Sequence, residues 1–550
     1  MVKNIVKKGL LALTLKQSNI FSAAFFIIVT TIIGQVLGLI KYRLLVAIFG
    51  ASSDLGVFLA SFRVPDFIFQ IFITGALSIS FIPLFSELIS QNKKDEANRF
   101  SSAILTYGVA IFIVMSIIVI AFSHPIARAI APKFTTEETI LMANLMIIIQ
   151  LSQVFFVVGT VFSGILQSFH HFLVPGIASA LYNLGIIIGI VVLSGFFGLG
   201  IYGATLGVVI GAFLFFAVQI PFLHGTGFNF RINFHRDAAV RRIIRLMIPR
   251  SLTLLVSQIA ITANVFFALF ISARNLVIFD LAQTLMLAPV ILFGQSIAQA
   301  SFPSLSLKAG DPKEFVSIFV SSLNQIMYLT LPITALLIVL RIPIVRLFFG
   351  ASRFDWDATV ATGLTLALLG ISIAAQSAIY LCARAFFALK DSQTPFFITL
   401  FSVIINISLS YYLIINLNLP IYYLGISFSV GSFISFVLLL ITLNAKIMLP
   451  KLEMVIASIK ILTATFVMGV ALYIPIKLLD QLVFDTTRTI NLLILTGIAS
   501  TTGIVAYIFF TWLLDIKEAY YVVAVIKRFK NKDKIIKQIG ELLDGSKLNP

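Results

Sequence analysis

Long apolar stretches, each closed by a short polar or glycine- and proline-bearing break, follow one another along the whole chain. Fourteen are long enough to cross a hydrocarbon core of roughly 30 Å. They fall at about 20–45, 57–87, 101–122, 139–165, 173–195, 200–222, 248–271, 278–304, 316–340, 358–383, 395–416, 420–443, 453–476 and 490–514. The pattern predicts an all-α polytopic membrane protein of about fourteen transmembrane helices. A lysine-rich start resembles a signal peptide. The apolar run behind it is longer than an h-region of about 7–15 residues and lacks a small-residue cleavage site, so it reads as a retained first helix.

The pattern also repeats. SFIPLFS, Ser80 to Ser86, resembles ASFPSLS, Ala300 to Ser306, with Pro83 and Pro303 separated by 220 positions. Pro125 and Arg128 of HPIARAI stand 218 before Pro343 and Arg346 of IPIVRLF, and Pro175 stands 220 before Pro395. Two six-helix lobes related by a parallel repeat follow, with two extra C-terminal helices. An even number of helices per lobe gives both lobes the same orientation, an arrangement of transporters with a site between halves. The expected organisation is a basic cytoplasmic N-terminus (1–19), an N-lobe (20–222), a basic amphipathic connector (223–247), a C-lobe (248–443), two further helices (444–514) and a basic amphipathic tail (515–550). Within the second run, GALSISFIPLFSE spends a glycine, three serines and a proline inside an apolar segment. A proline removes an intrahelical hydrogen bond, which a membrane tolerates where neighbours or a wet cavity satisfy the freed carbonyl. Gly75, Pro83 and Pro303 are therefore candidate hinges.

Composition sharpens this picture. The chain is 59% hydrophobic and 11% charged, with a mean hydropathy of +1.07, whereas a soluble domain carries roughly 25% charged residues. One cysteine in 550 residues excludes a disulfide framework and a cysteine-based metal site. The net charge of +17 is a matter of placement. With the N-terminus in the cytoplasm, most Lys and Arg fall on the cytoplasmic side, so both termini are expected there. The charge reads as topology and contact with anionic phospholipids, not with nucleic acid.

Several tempting motifs dissolve. GLGIYG, Gly198 to Gly203, matches a nucleotide fingerprint but follows no strand. Gly203, Gly207 and Gly211 form a helix-packing stripe. His170 and His171 lack a carboxylate or cysteine partner for a metal. P-loop, HExxH and GxSxG patterns are absent, so neither enzyme chemistry nor a cofactor is expected. The cations near the first two runs carry more information. Lys41 and Arg43 lie between apolar stretches, and Arg63 and Asp66 sit inside the second run. A charge at the bilayer centre costs roughly 2.5–3.5 kcal/mol, so such groups face a cavity or a partner.

The motifs FGASSD, FRVPD, GALSISFIPLFSE, LVPGIASALYNLGIIIG, VRRIIRLMIPRSLTLLVSQI, FPSLS, PIVRLFF and RAFFALKDSQTP resemble the MurJ/MviN family of lipid II flippases, relatives of multidrug exporters and polysaccharide flippases. The resemblance covers nearly the whole chain. It implies two lobes around a central cationic cavity, a lipid-tail groove by the last two helices, alternating access, and a bacterial cytoplasmic membrane. It further implies lipid II or a related undecaprenyl-diphosphate lipid as partner, with the cell-wall synthesis machinery as a further candidate and an ion gradient or membrane potential as the drive. Several family charges are replaced. Gln35 stands where an arginine is usual, and Lys41 and Tyr42 stand for an Arg-Asp pair. Phe69, Gln70 and Thr74 replace two arginines and a glutamate, and Gln283 and Thr284 replace an Asp-Arg. The aspartate linked with sodium in some members is Asn264, and its partner positions read Asn406 and Ser410. The substrate-binding candidates are thus Lys41, Arg43, Arg63, Gln35, Gln70, Gln283 and Thr284. Asn264, Asn406 and Ser410 form a candidate ion site. Three functions stay open: a lipid II flippase, a transporter of another polyprenyl-diphosphate sugar or amphiphile, and a transport-inactive scaffold for envelope assembly.

Overall fold

The computed structural model describes residues 20–71, 81–234, 238–482 and 489–520, and every regular element among them is helical. Thr74, Gly75, the N-terminal 1–19 segment and the tail beyond residue 520 lie outside the described residues. The first half comprises α1 (Ile20–Phe49), α2 (Ser53–Ser61), α3 (Arg63–Phe69), α4 (Ile82–Ser90), α5 (Lys94–Ala121), α6 (Ser123–Ile130), α7 (Thr136–Ser168), α8 (Leu173–Ile188) and α9 (Gly200–Ala217). The long α10 (Ala238–Ile271) leads to α11 (Ala273–Pro289), α12 (Ser296–Leu307), α13 (Pro312–Val339), α14 (Arg341–Phe349), α15 (Trp356–Gly370), α16 (Ile373–Ala388), α17 (Gln393–Ser410) and α18 (Tyr423–Ile447). α19 (Lys451–Leu482) and α20 (Thr489–Leu513) close the described chain.

Eleven helices among the described residues are long and apolar enough to span a membrane, and the bent pair α15–α16 makes a twelfth. Of the two remaining apolar runs, one forms the apolar end of α10, Leu255–Ile271. The other is divided among α2, α3 and α4, with 72–80 outside the described residues. This is an all-helical, multi-pass membrane protein. Its outward side chains agree with that: Phe466, Ile490 and Ile117 are 73%, 74% and 61% exposed, an arrangement that only lipid makes stable.

Caps and local sequence start the helices. Thr135 and Glu138 form a capping box on α7, the Glu138 N–H donating to Thr135 Oγ1 (3.2 Å) and the Thr135 N–H to Glu138 Oε2 (2.9 Å). Asp311 accepts the Lys313 and Glu314 N–H groups at the head of α13, with Pro312 in the first turn.

By compactness, one unit comprises the described residues up to Val277 together with Phe349–Asp355. The other comprises Ile278–Phe348 and the described residues from Trp356 onward. The first core is built on stacked Phe81, Phe85 and Phe100, with Val161 and Ile165 of α7. The second gathers Phe315, Phe319, Phe386 and Leu439.

The internal repeat extends to backbone irregularities. A π-helical turn ends α8 at Gly189–Phe196, and another ends α17 at Tyr411–Asn416. A third opens after α11 at Val290–Gln295, and 220 positions earlier Gln70 and Ile71 leave α3 in the same wide turn. Left-handed backbone recurs at His170 and Lys390, and at Gly198 and Asn418. The copies differ at one bend. α7 is continuous, while α15 and α16 meet at 41°. Ser372 bonds back to the Leu369 carbonyl at 2.6 Å beside Gly370, a pairing that weakens a helix. In α7 the matching serine, Ser152, bonds back to Ile149, but Gln150 replaces the glycine and donates to Ser116 at 3.0 Å, tying α7 to α5.

Candidate functional site

In the first unit α1 packs on α8. A Cβ on Gly176 would strike Thr30, and Asn183 Nδ2 donates to the Gly34 carbonyl at 3.2 Å. At about 100° per residue, Lys41 and Leu45 continue the Thr30–Gly34 stripe. Leu45 is buried and Lys41 is half-buried, its ammonium 4.8 Å from the Tyr42 ring centroid. Arg43 leaves the opposite side of α1 and is exposed, and Gln35, about a quarter turn off the stripe, is exposed too.

α3 begins at Arg63, and one turn later it presents Asp66 on the same face. Asp66 Oδ1 accepts from Gln153 Nε2 of α7 at 3.2 Å. The charge of Arg63 and, more weakly, that of Lys41 act on this carboxylate. Tyr182 of α8 lies within its electrostatic reach, its ring edge-on to Phe156 at 4.7 Å. Polar groups from α1, α3, α7 and α8 thus converge on Asp66 within an apolar unit. Of the sequence candidates, Lys41 and Arg63 come together here, and Arg43 and Gln35 do not. Gln70 is half-buried in the wide turn after α3. Gln153 and Tyr182 escaped sequence reasoning, although a glutamine pair inside the 33-residue α7 is a readable signal.

Of the ion-site candidates, Asn264 belongs to the first unit and is 3% exposed, with no hydrogen-bond partner for its Oδ1 among the described residues. In the second unit α17 and α18 meet along a seam of small polar residues. Ser410 and Ser427 share a hydrogen bond of 2.7 Å, and a Cβ on Gly431 would lie 3.2 Å from Asn406 Cβ. Asn406 is 6% exposed, and neither amide atom finds a partner among the described residues. Gln283 and Thr284 are half-buried on α11. Pro83 is the second residue of α4 and Pro303 lies inside α12; both are exposed. No three His, Cys, Asp or Glu side chains converge among the described residues.

Outside the membrane, the RAFFALKDSQTP segment is locked by Asp391. Burial pushes its carboxyl up, but the Lys446 ammonium at 2.6 Å, the Thr394 hydroxyl at 2.6 Å and the Thr394 N–H outweigh it and hold the group at about 2. The same carboxylate caps α17 and ties it to α18.

The described geometry is that of a polytopic membrane protein, and comparison with known proteins places it in a family. The family described as "Lipid II flippase MurJ" matches residues 45–493. A probable lipid II flippase MurJ from Buchnera aphidicola is 26% identical over 505 residues, covering 91% of this chain and 98% of that protein. The probable lipid II flippase MurJ of Thermotoga maritima is 28% identical over 491 residues, covering 89% and 95%. Among solved structures, lipid II flippase MurJ in an inward closed conformation aligns with a TM-score of 0.75 at 23% identity, over 89% of this chain and 98% of that one. An inward-facing multidrug resistance MATE transporter aligns at 0.63 and 15% identity, over 76% and 98%.

Proposed function

Because this chain belongs to the MurJ lipid II flippase family, a bacterial inner-membrane family of transporters, we propose that it moves lipid II from the inner to the outer leaflet by alternating access, with both termini cytoplasmic. The observation that carries the reading is the pair of half-buried cations, Lys41 and Arg63, acting on Asp66. A diphosphate leaving water needs N–H donors in place of its hydration. An ammonium and a planar guanidinium supply them, and the Asp66 carboxylate attracts both while no lipid is bound. Gln70, in the turn after α3, adds a neutral donor, while Gln35, Arg43, Gln283 and Thr284 are proposed as separate lipid contacts outside this cluster. Asn264, Asn406 and Ser410 remain candidates for the coupling ion, the orphaned Asn406 amide supporting that assignment. Gly75, Pro83 and Pro303 are the proposed hinges.

Neutral residues at so many family charge positions favour one second reading, transport of a different polyprenyl-diphosphate sugar lipid. Rescue of bacteria depleted of their own lipid II flippase, with an assay of lipid II exposed on the outer leaflet, tests both. Rescue with exposure supports lipid II. Failure of both by a well-expressed, membrane-inserted chain overturns it.

A further inference from the structure

α6 joins α5 to α7, and with the head of α7 it borders a cleft of about 420 Å³ lined by His124, Pro125, Arg128, Thr136, Thr139 and Ile140. His124 and Arg128 stand one helical turn apart on the same face of α6. Pro125 and Ile140 supply apolar wall, and Phe122, just before α6, is 57% exposed. Arg128 and His124 make no hydrogen bond or ion pair with any described residue. The neighbouring Glu138 is spent on Thr135 and on the Ser53 hydroxyl.

The second unit repeats this corner and closes it. Arg346 of α14 follows Arg128 by 218 positions, and Trp356, the first residue of α15, follows Thr136 by 220. There the guanidinium carbon of Arg346 lies 5.9 Å from the centroid of the Trp356 ring, within the range of a cation–π contact. One copy thus gives its arginine an indole, whereas the other gives it an open cleft with a histidine beside it.

We propose that the α6–α7 cleft binds the phosphate of an anionic phospholipid headgroup. Arg128 and His124 donate to the phosphate oxygens, and Pro125 and Ile140 meet the glycerol and upper acyl chain. A planar guanidinium suits phosphate oxygens through paired N–H donors, and a mostly apolar wall that carries an arginine and a histidine suits an amphiphile at the membrane interface. On the topology proposed above, the cleft opens in the outer leaflet. It is separate from the Asp66 centre and does not depend on which lipid is transported.

The test is native mass spectrometry of the purified full-length chain with phosphatidylglycerol, zwitterionic phosphatidylcholine and inorganic phosphate as probes. The wild type should hold phosphatidylglycerol under conditions that strip phosphatidylcholine. Arg128→Gln should weaken that retention by about tenfold or more, Arg128→Lys less, and Arg346→Gln not at all. Thr136→Trp, which copies the second unit, should abolish it without changing any charge. Thermal melting of each variant confirms its fold. Wild-type retention by folded Arg128→Gln and Thr136→Trp overturns the proposal. Displacement of the lipid by an equal concentration of inorganic phosphate overturns the lipid assignment.

Discussion

Lys41 and Arg43 are two positions apart and carry the same charge, yet α1 turns them in opposite directions, which allows a sharp test. Lys41 lies on the stripe that packs on α8 and acts on Asp66, while Arg43 is exposed on the other side. A hydrogen bond to a charged group is worth roughly 1.5–3 kcal/mol, or about ten- to a hundredfold in affinity. Lys41→Ala should weaken binding of a polyprenyl-diphosphate lipid by that factor, and Arg43→Ala by less than about threefold. Asp66→Asn works in reverse. At an effective dielectric of about 20, unit charges roughly 6 Å apart interact by about 3 kcal/mol, so removing the carboxylate relieves repulsion of an arriving diphosphate and should tighten binding by up to about a hundredfold. It also removes the carboxylate's attraction for Arg63, so the lipid-free protein should melt earlier and regain stability when the lipid is added. Native mass spectrometry with a monophosphate lipid as control, alongside melting with and without lipid, measures all three variants. Equal losses from Lys41→Ala and Arg43→Ala would refute the assignment of the site to the Asp66 face.

Other perturbations test the scaffold. Gly185→Ala would put a Cβ 2.3 Å from Gly211 Cα, whereas at Gly38 nothing lies within 4 Å. The first should destabilise by about 1–3 kcal/mol and the second should be neutral or stabilising, so identical melting temperatures would contradict the close α8–α9 contact. Asp391→Asn should lower the melting temperature at pH 7 by an amount equivalent to about 1 kcal/mol, after discounting for the 43% exposed Lys446. Because the folded carboxyl lies at about 2, below its ordinary 3.8, the contribution is complete above about pH 4 and disappears as pH falls through 2; a gap unchanged at pH 2 would rule the latch out. Gly370→Ala meets only Ile338, at 3.6 Å, and removes a helix-weakening residue worth about 1 kcal/mol. It should raise stability and slow transport if the α15–α16 bend flexes, and a transport rate equal to wild type would make the bend static.

The helices and the duplication were legible because both depend on coarse properties. Apolar length sets a span, and prolines and glycines at a constant offset betray a copied backbone. The bend at Gly370–Ser372 was not legible, since the matching Ser152 makes the same back-bond in a straight helix and only the Gln150–Ser116 contact separates the two cases. The candidate site was half legible. Charges inside apolar runs marked Lys41, Arg43, Arg63 and Asp66, but rotation about α1 decides which cation meets the carboxylate, and that rotation follows from Thr30, Gly34 and Leu45. The glutamines of α7 signal a polar face in sequence, but not what Gln153 meets there; its partner is Asp66, 87 positions away.

The two copies retain backbone features and differ in chemistry, and this bears on how the transporter is built. Wide turns end α8 and α17 alike, and left-handed residues recur at matching places. Yet the close glycine contact of α8 with α9, where Gly189 and Gly207 nearly touch, becomes a seam of hydroxyls and an orphaned amide between α17 and α18. The charged cluster around Asp66 is built on positions of the first unit. A backbone irregularity is hard to lose once neighbours have packed around it, whereas a side chain facing a cavity can change without disturbing the core. Duplication therefore explains the shared shape of the units. The proposed assignment of anion handling to one copy, beside a neutral polar seam in the other, rests on a few differences at Lys41, Arg63, Asp66, Asn406 and Ser410.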